Sequence, residues 1–369
     1  MTVLDWLLDS DPALRWQVLR DLSDAPPEVV AVERARVVTE GWGARLLALR
    51  GDDGQWAGGA CFPADFRGDF SQGQPWTSTL PTLTLLRDLG IDPNAPPVRE
   101  TVALVRENSR WEHAGQPFFA GEVEPCINGR TVAAGAYFGA DVDGIVARLL
   151  GEQLADGGWN CEAENGSVRS SFATTICVLE GLLEHEQAVG GSAPAAGGSA
   201  RSVAARRRGE EYLLDRALFR RLSTGEVADP AWLQFSFPGW WHYDVLRALD
   251  YFRAAGGAPD PRLAEAITGL RSNQQPGGAW LRFSFPGWWH YDVLRALDYF
   301  RAAGDAPDPR VAEAITVLRS KQQPDGTWLL ENTHPGAVHF PMEDGDGQPS
   351  RWNTLRALRV LRWHDGPIY

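Results

Sequence analysis

The sequence has almost no lysine. Of its 35 basic residues 34 are arginine, and Lys321 is the exception. Cysteine is scarce too, with 4 in 369 residues, which makes no disulfide framework and points to a reducing, cytoplasmic setting. No run of about 18 apolar residues occurs, so no membrane span is expected. The N-terminal MTVLDWLLDSDP has no basic n-region and no small-residue cleavage site, so no secretory signal is expected either. Almost nothing alternates apolar and polar as a strand should. P-loop, G-x-S-x-G, C-x-x-C and H-E-x-x-H patterns are absent, as is a G-x-G-x-x-G following a strand. Positive charge is in deficit. A net charge of −13 argues against nucleic acid or an anionic membrane as the partner.

What is present is ordinary globular composition, 44% hydrophobic and 22% charged, with 16 Trp, 39 Gly and 25 Pro that need a structural cause. Self-comparison supplies one. Residues 232–279 and 280–327 match at 41 of 48 positions, a tandem duplication of one unit. A weaker repeat underlies the whole chain: apolar helix, Gly-rich turn ending in Trp, loop, second apolar helix. The turns end at Trp56, Trp159, Trp280 and Trp328. First helices are expected at 43–50, 98–109, 143–155, 206–221, 261–272 and 309–320. Second helices are expected at 77–89, 129–138, 169–185, 240–254, 288–302 and 351–363, with 12–22 as a further one. Apolar positions such as Val245, Leu246, Leu249 and Phe252 recur with a helical period. The chain reads as all-α, built of helical hairpins in a single domain over 1–369. Residues 188–202 (AVGGSAPAAGGSARS) read as a flexible linker, and Arg206 to Arg208 as the solvated start of a helix.

Connections from second to first helix are short. Those from first to second helix are long and hold most of the reactive side chains. In a closed ring of hairpins the long loops would surround one mouth, with helix N-termini pointing into it.

The Gln/Asp-Gly-x-Trp turns between helices resemble those of the terpenoid cyclase and protein prenyltransferase superfamily, which includes the squalene cyclases. That resemblance implies a single α/α toroid of six hairpins plus the duplicated unit, or seven if the unit inserts in register. It gives Gln153/Trp159, Gln274/Trp280 and Gln322/Trp328 the role of stacking and capping the next helix. It also implies an isoprenoid or other apolar substrate in an aromatic-lined cavity. The sequence departs from the family in its acids. Asp141-Val-Asp143-Gly144 lacks the last acid of Asp-x-Asp-Asp and falls in a short connection, so it is expected to cap a helix. Asp344-Gly-Asp346-Gly347 is expected to be a loop. The prenyltransferase zinc pattern of Asp-x-Cys at a helix start is absent.

Three readings of the mouth residues stand together. Carboxylic-acid-initiated cyclisation would use Asp244, Asp292, Glu124 or Glu162, with His242 and His290 beside them. A zinc centre for a transferase or hydrolase would draw on Cys126, Asp292, His290 and His339. A non-catalytic toroid would use the same residues to pin its loops while binding a peptide or lipid. Trp240, Trp241, Trp288, Trp289 and Phe285 are expected to line the cavity and stabilise positive charge. Arg130, Arg169 and Asn128 are expected to hold an anionic head group. The duplication also offers a route to swapping between chains.

Overall fold

A computed structural model describes residues 2–73, 75–190, 198–229, 318–330 and 336–365, together with Tyr243, Ala248, Tyr251, Ala255 and Ile315. Among them helices dominate: α1 (Val3–Leu8), α2 (Pro12–Asp21), α3 (Pro27–Ala35), α4 (Gly41–Ala48), α5 (Thr79–Asp88), α6 (Pro96–Asn108), α7 (Pro125–Tyr137), α8 (Asp143–Gly151), α9 (Phe172–Gly190), α10 (Gly198–Leu214) and α11 (Arg351–Asp365). The one described sheet pairs Trp328–Leu329 with Pro349–Ser350. The protein is all-α. No described helix is long and apolar enough to cross a membrane.

Three Trp turns are built alike. Trp56, Trp159 and Trp328 have no exposed surface. Each indole Nε1 donates to a carbonyl ten residues earlier: Leu46 at 2.6 Å, Leu149 at 2.6 Å and Leu318 at 2.7 Å. Each Trp backbone N–H donates to a threonine hydroxyl in the first turn of the following helix, Thr79, Thr175 or Thr354. The turn glycines Gly54, Gly157 and Gly326 have φ of 87°, 99° and 85°, where a side chain would be strained. The indole thus ties the end of one helix to the start of the next.

The glutamine expectation needs correction. Gln153 donates to Gly157 within the turn and to the Ala205 carbonyl in α10, and Arg208 donates back to it. It knits the turn to a neighbouring helix. The start of α9 is held instead by Asp156, which accepts from the Ser170 N–H and hydroxyl. Gln322 likewise reaches its own turn carbonyl at Gly326. Gln274 and Trp280 lie outside the described residues.

α7 packs along α9 at very short range. A Cβ on Gly181 would lie 2.2 Å from the Gly129 carbonyl oxygen, so neither glycine can carry a side chain without moving a backbone. At the far end of the chain α11 returns to α2. Arg359 donates to Gln17 at 2.9 Å and pairs with Asp21, Arg362 pairs with Asp24, and Arg351 donates to the Trp6 and Asp9 carbonyls.

Other expectations shift. α7 begins at Pro125 rather than 129, because proline at N1 starts the helix. α10 begins at Gly198, so much of the expected linker is helical, as is 188–190 at the end of α9. Arg206 is not solvated. It is 4% exposed and held by Glu186, Glu210 and the Tyr251 hydroxyl. Val142, not an aspartate, stands at the N-cap of α8, although Asp141 Oδ1 does accept the Asp143 N–H.

Candidate functional site

The long connections meet one another. Glu112 Oε1 accepts three backbone N–H groups, from Ala60, Cys61 and Phe62, which fastens the 109–124 connection to the 49–78 connection. The Trp76 N–H donates to the Ala337 carbonyl at 2.8 Å, which joins the latter to the 321–350 connection. Cys161, from the 152–171 connection, meets Cys126 at the start of α7. The long connections therefore gather where α5, α7, α9 and α11 begin.

Two cysteines and a glutamate form the centre of this region. The Cys126 and Cys161 sulfurs are 2.9 Å apart, and Cys126 donates to Glu124 Oε2 at 3.3 Å. One ligand atom from each of the three lies within 4.8 Å of the others, and no other such trio occurs among the described residues. Local chemistry places each group. Pro125 at N1 fixes the entry to α7, so Glu124 and Cys126 flank it. Asn160 accepts the Glu162 N–H and starts the 3-10 turn that carries Cys161. From α9, the Thr174 hydroxyl donates to the Cys161 sulfur and accepts the Cys161 N–H, both at 3.3 Å. The hydrogen bond between the thiols, with burial, raises Cys126 well above the usual thiol range. The same bond lowers Cys161, outweighing its partial burial. Cys177 lies in α9 with no exposed surface, and burial pushes the Cys61 thiol up to about 12.

The expected site residues sort unevenly around this cluster. Glu124 and Cys126 belong to it. Glu162 is exposed and accepts from Asn165 at 2.8 Å. Arg169 is exposed, and its carbonyl anchors Asn160. Asn128 is fully buried, and its amide both accepts from and donates to the backbone of Glu122, so it pins a loop and presents nothing to a head group. Arg130 is half-buried, and its charge bears on Cys61 and Asp88. His339 is not part of the trio. Its Nε2 sits 2.7 Å from the Thr82 hydroxyl, whose proton is given to the Ser78 carbonyl. That contact holds the ring against α5, apart from the two cysteines. Burial lowers His339 to about 4. Asp244, Asp292, His242, His290, Trp240, Trp241, Trp288, Trp289 and Phe285 lie outside the described residues.

Sequence reasoning missed three features. Cys161 is expected in the 159–169 loop and, like Cys126, as a candidate nucleophile beside a mouth histidine, but its contact with Cys126 is not foreseen. The Phe62, Phe66 and Phe70 rings pack on one another with centroids 5.1–6.2 Å apart, beside Cys61. Glu122 is a buried carboxyl, 6% exposed, raised by that burial and accepting the Glu124 N–H at 2.5 Å. Toward the other end of α2, α5 and α7 lies a cleft of about 650 Å³, lined by Trp16, Arg20, Arg34, Arg87, Asp88 and Tyr137. Its arginines are engaged: Arg34 with Gly90 and Tyr137, Arg20 with Asp21, and Arg87 with Asp88. No protein-family model matches the chain, and no curated protein matches it.

Proposed function

We propose that the chain is a single α/α toroid of the terpenoid cyclase and prenyltransferase kind, with its working centre at Glu124, Cys126 and Cys161. The alike Trp turns, the return of α11 to α2 and the gathering of long loops at one end support the ring. The observation that carries the function is the trio itself. Two sulfurs and one carboxylate within 4.8 Å, two of them partly or fully open to solvent, suit a three-ligand zinc site with a position left for substrate. The sulfurs would separate from 2.9 Å to about 3.8 Å to occupy two corners of a tetrahedron at zinc–sulfur distances of about 2.3 Å. Glu124-Pro125-Cys126 has an acid, one residue and a cysteine at a helix start, as Asp-x-Cys does in the prenyltransferases, but with glutamate in place of aspartate. A zinc ion there supplies Lewis acidity and holds a thiol as thiolate. Thr174 orients Cys161 from α9. The function is group transfer or hydrolysis on an apolar substrate.

Elemental analysis of protein purified with zinc supplied, beside Cys126→Ser and Cys161→Ser, tests this. About one zinc per chain, lost in both variants, is the expected result. A zinc-free native chain overturns it.

A second reading is acid-initiated cyclisation of an isoprenoid-like substrate. It is favoured by the buried Glu122 carboxyl, with the Phe62, Phe66 and Phe70 rings packed on one another beside Cys61. It predicts activity that survives Cys161→Ser and is lost in Glu122→Gln. A non-catalytic binder would turn over nothing under either substitution.

A further inference from the structure

We propose that Cys126 and Cys161 are also an oxidisable dithiol, closed by a small disulfide such as oxidised glutathione into a cross-link between the 152–171 connection and α7. Part of this inference, that oxidation disarms the site, rests on the metal reading above. The cross-link itself does not.

The geometry is that of a pair. The two sulfurs come from elements 35 residues apart and face each other at 2.9 Å, already closer than non-bonded sulfurs rest. Closing to a bond of about 2.05 Å needs less than 1 Å of further approach. Access is unequal in the useful sense. Cys161 is partly exposed and can meet a small disulfide, whereas Cys126 is 6% exposed and sits behind it. Cys61 at 8% and Cys177 at 0% exposure are buried, so a reagent in solution reaches neither. The chain thus carries two reactive thiols and two silent ones.

The chemistry balances. The Cys161 sulfur attacks one sulfur of the disulfide, forming a mixed disulfide and releasing one small thiol. The Cys126 sulfur then attacks the Cys161 sulfur and expels the second small thiol. Two protein thiols lose their protons to the two departing thiols, the protein pair is oxidised by two electrons, and the reagent is reduced by two. The product has no free sulfur at position 126 or 161. Two of the three donors of the trio are then consumed, so a zinc ion bound there would be released. In a reducing compartment such a bond forms only when the thiol pool is oxidised, which makes it a reversible switch.

The test treats metal-free full-length protein with oxidised glutathione, unfolds it in acid, alkylates the remaining thiols and maps the peptides. The expected result is two alkylated cysteines of four, Cys61 and Cys177, with a 126–161 cross-link that dithiothreitol removes. Cys126→Ser should stop at a glutathione adduct on Cys161. Because Cys126 is buried, Cys161→Ser serves as a second variant and should take up no glutathione at all. Four alkylated cysteines in the native chain, or adducts that never resolve into the cross-link, overturn the proposal. Zinc content is measured on a parallel sample. A cross-link without zinc binding sinks the metal reading alone, and zinc binding without a cross-link sinks this inference alone.

Discussion

The Trp159 indole donates to the Leu149 carbonyl at 2.6 Å, and the same bond spans the same ten residues at Trp56 and Trp328. Each of these rings is fully buried, so it serves both as a packing anchor and as a hydrogen-bond donor to a carbonyl near the end of the preceding helix. Leu46 and Leu318 also accept from the Leu49 and Lys321 N–H groups, whereas among the described residues no backbone N–H beyond α8 donates to Leu149. The two roles can be separated. Trp159→Phe keeps most of the ring and strands the Leu149 carbonyl, at a cost of about 1–3 kcal/mol. Trp159→Ala also opens a cavity and costs about 3–5 kcal/mol. Urea unfolding of the two variants checks the order. Equal losses would mean that the hydrogen bond contributes nothing.

The α7–α9 contact makes a second prediction. Gly181→Ala places a methyl 2.2 Å from a backbone oxygen, so the helices must part, at a cost above about 2 kcal/mol. Gly144→Ala is the matched control. Gly144 is an exposed helical glycine of α8 with nothing within 4 Å of the new carbon, and alanine there should add about 0.5–1 kcal/mol. Thermal unfolding should move in opposite directions for the two. A neutral Gly181→Ala would remove the argument for a glycine-dependent contact.

The third prediction concerns pH. Glu343 accepts from Ser350 and from the Arg351 and Trp352 N–H groups, which caps α11, and burial pushes it up to about 7. A carboxyl raised on folding contributes stability that is full below its unfolded value near 4.5 and lost as pH rises through about 7. His339, lowered to about 4, works the other way. Its contribution is full above about 6.5 and lost as pH falls through about 4. Between pH 5 and 7 the two oppose each other in the native chain. Glu343→Gln should therefore leave a protein that loses about 1–3 kcal/mol relative to the native chain on acidification from pH 8 to 5. His339→Gln should show the reverse sign. Chemical denaturation at four pH values reads both, and parallel pH profiles for all three proteins would refute the assignment.

Most helices were legible because their information is local. The 12–22 and 351–363 segments carry apolar spacing and clear stops, and they appear as α2 and α11. The start of α7 was misplaced because Asn128 and Gly129 look like a helix break, while Pro125 four residues earlier sets the true start. Arg206 looked solvated because its partners, Glu186 and Tyr251, are 20 and 45 residues away. The meeting of Cys126 with Cys161 was illegible for the same reason. Each cysteine is unremarkable in its own segment, and only the packing of α7 on α9 brings them together. Asn128 shows the opposite error. A polar residue at a mouth invites a binding role, yet both ends of its amide are spent on one neighbouring peptide.

The duplication is partly answered. Tyr243 and Tyr251 of the first copy are in the core, the former against Phe172 with its hydroxyl on the Leu218 carbonyl, the latter on Glu210. The first copy therefore places at least these two side chains inside the molecule.

The arginines of α11 have a consequence for synthesis. Arg351, Arg359 and Arg362 reach partners more than 330 residues upstream, at Trp6, Asp9, Gln17, Asp21 and Asp24. α2 is translated before α11, which carries its matching surface. While the intervening residues are synthesised, the flank of α2 waits uncovered until α11 has been made. Truncation of a few C-terminal turns would thus injure the beginning of the chain as much as its end.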